Sequence, residues 1–471
     1  MQKALVFLVS GIGMLFFVTV AGRAAETATR RPQAVDLAAI QELDLKTAGQ
    51  IALQDNPSLS AALARVTQAK ERIAEAQAGY WPTVGATANA SQVTLSNNAY
   101  QERLATAQLF NPNATVKDPD EYYEASLVAN WVLFNGFERK FANAAASYGH
   151  EQSQAAYQDA SRLLLSSVAT AYLRAQLALE DIAIAKADEE FNRRQLKDAQ
   201  TRHRTGTGSL SDVYNFEIRV NSAITVGTVG QQSYDAAMIG LASLLGIPQG
   251  IFPDHIRLAP LEAESPEEQS EPDADALIAY AQEHRSDILQ SDLAVKQADA
   301  QVKALRGRFF PVVSVEAAFD GERAGDSGMA GDDFGNTVGI NLTYNFFSGG
   351  ADMARWRQAK AGLTESEKTL ESVKIAAKSE IRTSLSALKS AHRQLVLQRS
   401  NVRLVEQTRN LVEKEYAAGV ASLVRLNEAQ RDLTTAQNRL ALALAALHQA
   451  WYNLQTDTGH ILEAFMADNA P

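Results

Sequence analysis

The placement of proline constrains the fold of this chain more than any other feature of its sequence. The prolines at 119 and 248 bound one proline-free stretch, and those at 311 and 471 bound another. Each stretch is well over a hundred residues long. Because proline breaks helix interiors, both stretches favour very long helices. A chain of 471 residues is also too long for one ordinary core, so we expect either several domains or one elongated body.

The sequence contains two copies of one unit. Residues 50–84 align with 279–313, and residues 131–246 align with 344–459 at a constant offset of 213. The shared signatures are Tyr80-Trp81-Pro82 with Phe309-Phe310-Pro311, and Phe134-Asn135-Gly136 with Phe347-Ser348-Gly349. The pattern predicts a tandem duplication.

The duplication divides the chain into consecutive segments. A stretch rich in Pro, Glu and Asp separates the two repeats and is predicted to be a linker. We predict a signal peptide, an N-terminal extended segment, a first repeat, a linker, a second repeat and a C-terminal tail at residues 1–25, 26–45, 46–246, 247–273, 274–459 and 460–471, respectively.

Each repeat is predicted to run helix, strand, loop, strand and then two long helices. The leading helices cover about 46–78 and 274–307, and the strands cover about 83–94, 123–134, 312–320 and 336–347. In the last strand, apolar residues alternate with small or polar ones, as in Val338, Ile340 and Leu342. This alternation fits transmembrane β-strands with one face towards lipid, and it fits a half-buried soluble sheet equally well.

The long helices are predicted to form hairpins. Residues 352–416 can run unbroken for 65 residues, about 98 Å, before a turn at 417–421. The return helix, predicted to reach about residue 455, carries leucines at strict heptad spacing, with an alanine three residues after each of the first four. These leucines are Leu426, Leu433, Leu440, Leu447 and Leu454. The pattern predicts a coiled-coil seam whose small residues let the helices approach closely.

The number of strands bears on assembly. Two repeats give four amphipathic strands, whereas membrane barrels have at least about eight, and an open sheet edge is not stable in lipid. Several identical chains must therefore pool their strands if the sheet lies in a membrane. Three chains would give twelve strands, but arithmetic alone leaves two or four open.

The N-terminus has the features of an export signal. A basic start, the apolar stretch Ala4 to Val20 and small residues around Ala24 describe a secretory signal peptide. The alternative is a membrane anchor, because the apolar stretch is near the lower length limit for spanning. No later segment has 18 consecutive apolar residues, so no helical membrane span is predicted.

Composition excludes several classes of function. The chain has no cysteine, which excludes disulfides, thiolate metal sites and a lipid-modified N-terminal cysteine. Its formal net charge is −11, and an acidic chain is a poor nucleic-acid binder. The seven histidines form no HExxH pair, and no GxSxG, Walker or dinucleotide-binding motif follows a strand. We therefore expect no enzyme activity, no cofactor and no metal site.

The chain resembles the TolC family of outer-membrane efflux proteins over about residues 43–460. The resemblance is carried by the order and duplication of individually weak motifs. They are Asn56-Pro57, Gly79-Tyr80-Trp81-Pro82, Phe134-Asn135-Gly136, Phe347-Ser348-Gly349, Leu244-Leu245-Gly246-Ile247-Pro248 and Tyr416-Ala417-Ala418-Gly419-Val420-Ala421-Ser422-Leu423.

The resemblance implies a mainly α fold with membrane β-strands. It implies a homotrimer whose 12-stranded β-barrel, in contact with outer-membrane lipid, continues into an α-helical tunnel through the periplasm. It implies a location in the outer membrane of a Gram-negative bacterium. It also implies a passive duct for efflux or type I secretion, docked to an inner-membrane pump through a periplasmic adaptor.

The resemblance also maps two sets of residues. The junction between barrel and tunnel, with its aromatic belt, would contain Tyr80, Trp81, Pro82, Trp131, Phe134, Phe309, Phe310, Pro311, Tyr344 and Phe347. The periplasmic tip, which forms the gate, would contain His203, Gly206, Ser209, Asp212, Tyr416, Gly419, Ser422, Arg425 and Glu428. Residues 92–121 and 321–335 would be outer loops. The alternatives are plain packing at strand ends for the first set and plain turn residues for the second.

The tip departs from the family pattern. The family implies polar links between the repeats, matched here by Asp212 and Tyr416, and rings of carboxylates. This chain has Ala421 where an arginine occurs and Arg425 where a ring aspartate occurs. We hypothesise that the gate closes through an Arg425–Glu428 or Arg425–Asp212 pair and is less cation-selective.

The sequence does not decide between the leading function and one alternative, and it does not identify the cargo. A secreted periplasmic coiled-coil structural or adaptor protein, with a soluble β domain, would account for the leucine heptads, though not for the duplicated strands. Within the leading interpretation, drugs, metal ions and secreted proteins are all candidate cargo.

Overall fold

The computed structural model describes residues 40–265, 268 and 272–466. The predicted signal peptide lies outside these residues. The structure contains strands β1 (Glu42–Leu43), β2 (Thr83–Val93), β3 (Asp120–Asn135), β4 (Arg257–Leu258), β5 (Val312–Ala324) and β6 (Phe334–Thr343). It contains helices α1 (Leu45–Asp55), α2 (Pro57–Ala78), α3 (Asn97–Phe110), α4 (Glu138–Arg204), α5 (Leu210–Leu244), α6 (Ala274–His284), α7 (Ser286–Arg306), α8 (Ala351–Ala417), α9 (Leu423–Thr458) and α10 (Ile461–Met466).

The two repeats have matching helical hairpins. Helices α4 and α8 are each 67 residues long, about 100 Å, and their return helices α5 and α9 have 35 and 36 residues. The prediction of an unbroken helix over 352–416 is therefore confirmed. No helix in the described part of the chain combines the length and apolar character needed to cross a membrane.

The heptad leucines of α9 form the predicted seam. Leu426, Leu433, Leu447 and Leu454 are buried, and Leu440 is half-buried. The alanines that follow them, including Ala429 and Ala443, are also buried. Small residues at these positions let α9 lie close to α8 and α4. The pattern read from the sequence thus identified the buried face of α9.

The leading helices differ from the prediction, which treated each as one continuous helix. In the first repeat the break is at Asn56, whose backbone is extended (φ −67°, ψ 121°) because the residue before a proline is driven out of the helical region. The Asn56 side chain accepts a 2.8 Å hydrogen bond from the Ser58 amide and so caps α2. In the second repeat Arg285 has nearly the same backbone angles without a following proline.

Two buried arginines, one from each repeat, hold the C-terminal end of α9. Arg162 donates a 3.0 Å hydrogen bond to the Thr456 carbonyl, and Arg285 donates a 2.9 Å bond to the Asp457 carbonyl. The last carbonyls of a helix lack partners within the helix and carry partial negative charge, so cations stabilise them. Arg285 is anchored in turn by Asp287 and Glu380. Arg285 thus lies at the break between α6 and α7 and bonds three other parts of the second repeat.

The segment between the repeats is more than a linker. Strand β4 pairs in parallel with β1, matching Leu43 with Leu258. Ile247, Phe252 and Ile256 are buried in one apolar cluster with residues of α1, α4 and α5. The acidic composition of residues 247–273 masked these apolar residues in the sequence, and the part up to Leu258 packs into the core of the first repeat.

The four long strands form one antiparallel sheet in the order β2–β3–β5–β6. The central β3–β5 pair joins the two repeats. Strands β3 and β5 extend further than predicted, and the expected outer loop at 92–121 contains helix α3. Apolar side chains stand out from the sheet, as at Val338 and Ile340, each 73% exposed in a single chain. In the part of the chain that the structure describes, β2 and β6 are open edges.

Candidate functional site

The turns that join each pair of long helices have the same construction. Gly206 and Gly419 both have a φ of +78°, a left-handed conformation that favours glycine. The following amides donate back into the helix, Thr207 to the Arg202 carbonyl at 2.9 Å and Val420 to the Glu415 carbonyl at 2.8 Å. This is the Schellman geometry that ends a helix.

Serine begins each return helix, as the sequence predicted. The Ser209 hydroxyl accepts from the Ser211 amide at 3.1 Å, and the Ser422 hydroxyl accepts from the Arg425 amide at 3.3 Å. Both caps satisfy amides that have no partner inside the helix. His203 contributes to the first turn, since its Nδ1 lies 3.3 Å from the Gly208 carbonyl oxygen.

An apolar cluster, which we call the plug, fills the space between the four long helices at the end where they meet the turns. Phe216 is fully buried at its centre, packed with residues from all four helices. The buried members of this cluster are Phe191, Ala199, Val213, Phe216, Val412, Leu426 and Ala429. Close packing of this kind transmits displacement between its members, so movement of one helix end disturbs the other three.

Tyr416 lies at the edge of this plug. Its ring meets that of Phe216 edge to face, with 6.5 Å between centroids. The Arg202 guanidinium lies 5.3 Å from the centre of the Tyr416 ring, a cation–π distance. Burial raises the pKa of the Tyr416 hydroxyl, the nearby Asp212 carboxylate adds to this, and Arg202 opposes it.

Three side-chain hydrogen-bond links join the two repeats just inside the tip. Gln430 donates to Asp188 at 2.7 Å, Gln195 donates to Glu413 at 3.1 Å, and Asn427 donates to Asn215 at 2.9 Å. We call these three pairs the inter-repeat links. Each joins a helix of the first repeat to a helix of the second.

The sequence contains a pattern of polar residues that indicates these links. Asp188, Asn192 and Gln195 are polar residues spaced along one face of α4, and Asn192, Gln195, Asn427 and Gln430 are all buried. Polar residues at buried helical positions interrupt an apolar seam and require partners. Matching the two polar stripes would have indicated where the repeats meet.

The hypothesised Arg425 pairs are not present within one chain. Arg425 and Glu428 are both exposed, and among the described residues of a single protomer Arg425 makes no ion pair with Asp212 or Glu428. Asp212 instead occupies the first turn of α5, where a negative charge is favourable to the helix dipole. Tyr416 meets the first repeat through its contacts with Phe216 and Arg202, and the polar links that the resemblance implies at Asp212 and Tyr416 stay a prediction.

At the other end of the long helices, the strand–helix junction gathers the first-repeat aromatic residues. The Trp131 indole donates to the Tyr80 carbonyl at 2.9 Å. Arg139, which the sequence analysis did not identify, donates to the Gly79 carbonyl at 3.0 Å and the Leu133 carbonyl at 2.8 Å. Its guanidinium also lies 5.0 Å from the centre of the Tyr80 ring. Arg139 therefore ties α2, β3 and α4 together.

The remaining aromatic residues of the junction project outwards in a single chain. Trp81 is 72% exposed and Phe347 is 83% exposed. Phe309 and Phe310, which precede Pro311, and Tyr344 are also exposed, while Phe134 packs edge to face against Phe137 at 5.4 Å. Pro82 and Pro311 each lie immediately before a strand, at the change from helical to extended backbone.

Neither end of the molecule contains a recognisable metal centre. Across residues 40–265, 268 and 272–466, no group of three or more histidine, aspartate and glutamate side chains is arranged to hold a metal ion.

Comparison with known proteins agrees with this architecture. The sequence profile of the family described as "Outer membrane efflux protein" matches residues 48–247 and 277–460. The pyoverdine export outer membrane protein OpmQ of Pseudomonas aeruginosa is 27% identical over 409 residues, covering 84% of this chain and 81% of OpmQ. The outer membrane protein TolC of Escherichia coli is 22% identical over 405 residues, covering 84% of this chain and 78% of TolC.

The solved structure of the outer-membrane channel OprN has the same fold, with a TM-score of 0.74 at 19% identity, covering 88% of this chain and 89% of OprN. The two matched blocks of the family profile coincide with the two repeats and make up most of the sequence. This chain therefore belongs to the outer membrane efflux protein family, which is made of channel proteins.

Proposed function

We propose that this chain is the outer-membrane exit duct of a tripartite efflux or type I secretion system. The observation that carries the proposal is a four-stranded sheet, apolar on its surface and open at both edges, attached to helices about 100 Å long. Open edges are not stable in lipid, so the sheet requires strands from further copies.

The proposed assembly is a homotrimer. Three copies supply twelve strands, enough to close a membrane barrel, and cyclic symmetry then arranges their long helices as a tube. In this arrangement the exposed aromatic residues at the strand–helix junction face the interface of the outer-membrane lipid, where amphipathic rings are favoured. Trp81 and Phe347 are the most exposed of them.

The proposed partners are a periplasmic adaptor and an inner-membrane pump, which the helix tip would meet. A passive duct needs no catalytic site or cofactor of its own, because the pump supplies the driving force. We propose no role in nucleic-acid binding, since the chain has 55 acidic against 44 basic residues.

The tip is the proposed gate. The plug around Phe216 and the inter-repeat links hold the four helix ends together, so opening must separate them. Arg425 is an exposed cation next to the second turn, and we propose that it lowers the cation selectivity of the gate. In a trimer, Arg425 is also available to Asp212 of a neighbouring copy.

Reconstitution tests the duct and the gate charge together. The purified mature protein should form ion-conducting channels in planar bilayers, and Arg425→Ala should shift the reversal potential in a salt gradient towards cation selectivity. Asp212→Ala should increase conductance if it pairs with Arg425 of a neighbouring copy. Wild-type behaviour in both variants would exclude this gate model.

Export by cells tests the duct proposal itself. A Gram-negative strain that lacks its own exit duct would receive this chain together with the adaptor and pump encoded next to it. Recovery of export, of a small molecule or of a secreted protein, identifies the cargo class. A chain that is absent from the outer-membrane fraction, or is found there as a monomer, would contradict the proposal.

A further inference from the structure

A short part of the inter-repeat segment lies across helices of both repeats. We call residues 259–265 together with Glu268 the strap. Gln176 of α4, a buried side chain in the first repeat, donates from its Nε2 to the Ala259 and Pro260 carbonyls at 2.9 Å each. Arg399 of α8, in the second repeat, binds the Glu264 carboxylate through two nitrogens. The strap therefore connects the two repeats midway along the long helices.

His448 of α9 makes the third attachment, and both of its ring nitrogens take part. Nδ1 lies 2.6 Å from the Glu268 carboxylate, and Nε2 lies 3.1 Å from the Glu262 carbonyl oxygen. His448 and Glu268 are 9% and 5% exposed. Glu268 in turn accepts a 2.7 Å hydrogen bond from the Ser265 amide, which fixes the carboxylate within the strap.

With Glu268 ionised, this geometry calls for a proton on both ring nitrogens. A carbonyl and a carboxylate are both acceptors, and a neutral imidazole has only one N–H to donate. When the ring carries one proton, one of its nitrogens faces an acceptor with a lone pair, and a buried contact is lost. The doubly protonated ring satisfies both acceptors.

The surroundings of His448 favour its charged form. The Glu264 carboxylate of the strap adds to that of Glu268, and the cavities of about 490 Å³ and 220 Å³ beside the ring are also lined by Glu262, by Glu463 of α10 and by Asp44 before α1. The opposing cation is Arg399, which is engaged by Glu264. The other titratable groups at these cavities are Tyr172 of α4, Tyr452 of α9 and His460.

The net effect on His448 follows from these contacts. Burial alone would lower the pKa of the His448 ring, but the Glu268 carboxylate and the Glu262 carbonyl outweigh it and hold the pKa above the ordinary value. Burial lowers the pKa of the neighbouring His460 ring, and the Glu463 carboxylate opposes this.

We propose that His448 attaches the strap to α9 in a proton-dependent way. The strap holds the two repeats together when the His448 ring is doubly protonated, and this attachment loosens when the ring loses a proton. Stabilisation by a group with a raised pKa is complete below its unfolded value, about 6.5, and is lost as the pH rises through the folded value. The strap is thus held most firmly below about pH 6.5. This proposal does not depend on what the duct carries.

Hydrogen exchange of the full mature protein, purified in detergent, tests the proposal. Amides of residues 259–265 would be followed from pH 6 to pH 9, with each rate divided by its intrinsic rate at that pH. In the wild type we expect protection to fall roughly tenfold across this range, the effect of one charged hydrogen bond. Pairing lowers the pKa of Glu264 and raises the pKa of Arg399, so this attachment stays charged across the range, and the variants below separate His448 from His392 of α8, which also acts on Glu264.

Variants assign the effect to this ring. His448→Gln keeps one donor and no charge, so the strap should exchange faster at pH 6 and show little further change with pH. Glu268→Gln keeps an acceptor without the charge and should move the transition to lower pH. His255→Gln, which alters an exposed histidine of the same segment, is the matched control and should behave like the wild type.

Two results would overturn the proposal. One is wild-type protection that does not change between pH 6 and pH 9. The other is a pH response that persists in His448→Gln. If His448→Gln does not fold, the Glu268→Gln transition decides the question alone, because an unshifted transition contradicts a link through this carboxylate.

Discussion

Gln430 of the second repeat donates a 2.7 Å hydrogen bond to the carboxylate of Asp188 in the first repeat, across 242 residues of chain. Thr434, one turn further along α9, also reaches Asp188 at 3.3 Å. The link lies in a seam in which most of the buried α9 residues are leucine and alanine. Polar pairs of this kind fix which helices meet, and separating them exposes groups that water can satisfy, so they suit a contact that must open.

Removing the Asp188 carboxylate should favour the open tip. Asp188→Ala deletes the acceptor of both Gln430 and Thr434, and a charged hydrogen bond is worth roughly a factor of ten or more in an equilibrium. We expect at least that increase in the ratio of open to closed time in single-channel recordings. Asp198→Ala, at an exposed carboxylate on the same helix, should leave the ratio unchanged. Equal gating of the two variants would show that Asp188 does not hold the tip.

Truncating the plug should destabilise the chain more than truncating its surface. Phe216 is fully buried, and Phe→Ala in a core costs about 3–5 kcal/mol. Tyr214, two residues away, is 56% exposed in one chain, and Tyr214→Ala should cost less than about 1 kcal/mol there. Guanidinium unfolding followed by circular dichroism measures both. A Phe216→Ala midpoint equal to that of Tyr214→Ala would contradict the plug.

Equivalent glycines of the two repeats should differ sharply in their tolerance of alanine. Gly136 and Gly349 have φ values of +66° and +65°, so alanine strains both by about 1 kcal/mol. A Cβ at Gly136 would also lie 2.3 Å from the Gly307 carbonyl oxygen, whereas one at Gly349 would meet nothing within 4 Å.

The measurement is the yield of heat-resistant oligomer extracted from outer membranes. Gly349→Ala should assemble close to normally, and Gly136→Ala should not, because the approach of β3 to the end of α7 is blocked. Similar yields would mean that the junction adapts to a methyl group at Gly136.

Arg285→Ala should uncouple the end of α9 from α7 and α8. The side chain is 4% exposed and bonds Asp287, Glu380 and the Asp457 carbonyl. Asp287 and Glu380 are 24% and 45% exposed, so water can solvate them, and losing the charged hydrogen bonds of Arg285 should cost about 1.5–3 kcal/mol. Lys368→Ala, which removes an exposed pair with Glu371, should cost less than about 1 kcal/mol. Thermal unfolding of the two variants would separate a structural arginine from an ordinary surface one.

The sequence by itself determined the features that repeat along the chain. The absence of proline predicted α4 and α8, the heptad leucines predicted the buried face of α9, and glycine followed by serine predicted the turns at Gly206 and Gly419. Period-two alternation located all four long strands to within a few residues. These features depend on local backbone preference and on residue spacing, and both can be deduced from one continuous stretch of sequence.

Only the tertiary structure decided which distant side chains meet. Local spacing carries no information on pairs such as Asp188 with Gln430, so the sequence did not indicate this link. No proline follows Arg285, so the sequence did not indicate the helix break at this residue. Its side chain contacts Asp287, Glu380 and the end of α9. The inter-repeat segment was predicted to be a linker because its charge outweighed its few apolar residues, yet those residues are buried against α1, α4 and α5. In each case a contact between remote parts of the chain overrode the local pattern, because burial and pairing contribute more free energy than local propensity does.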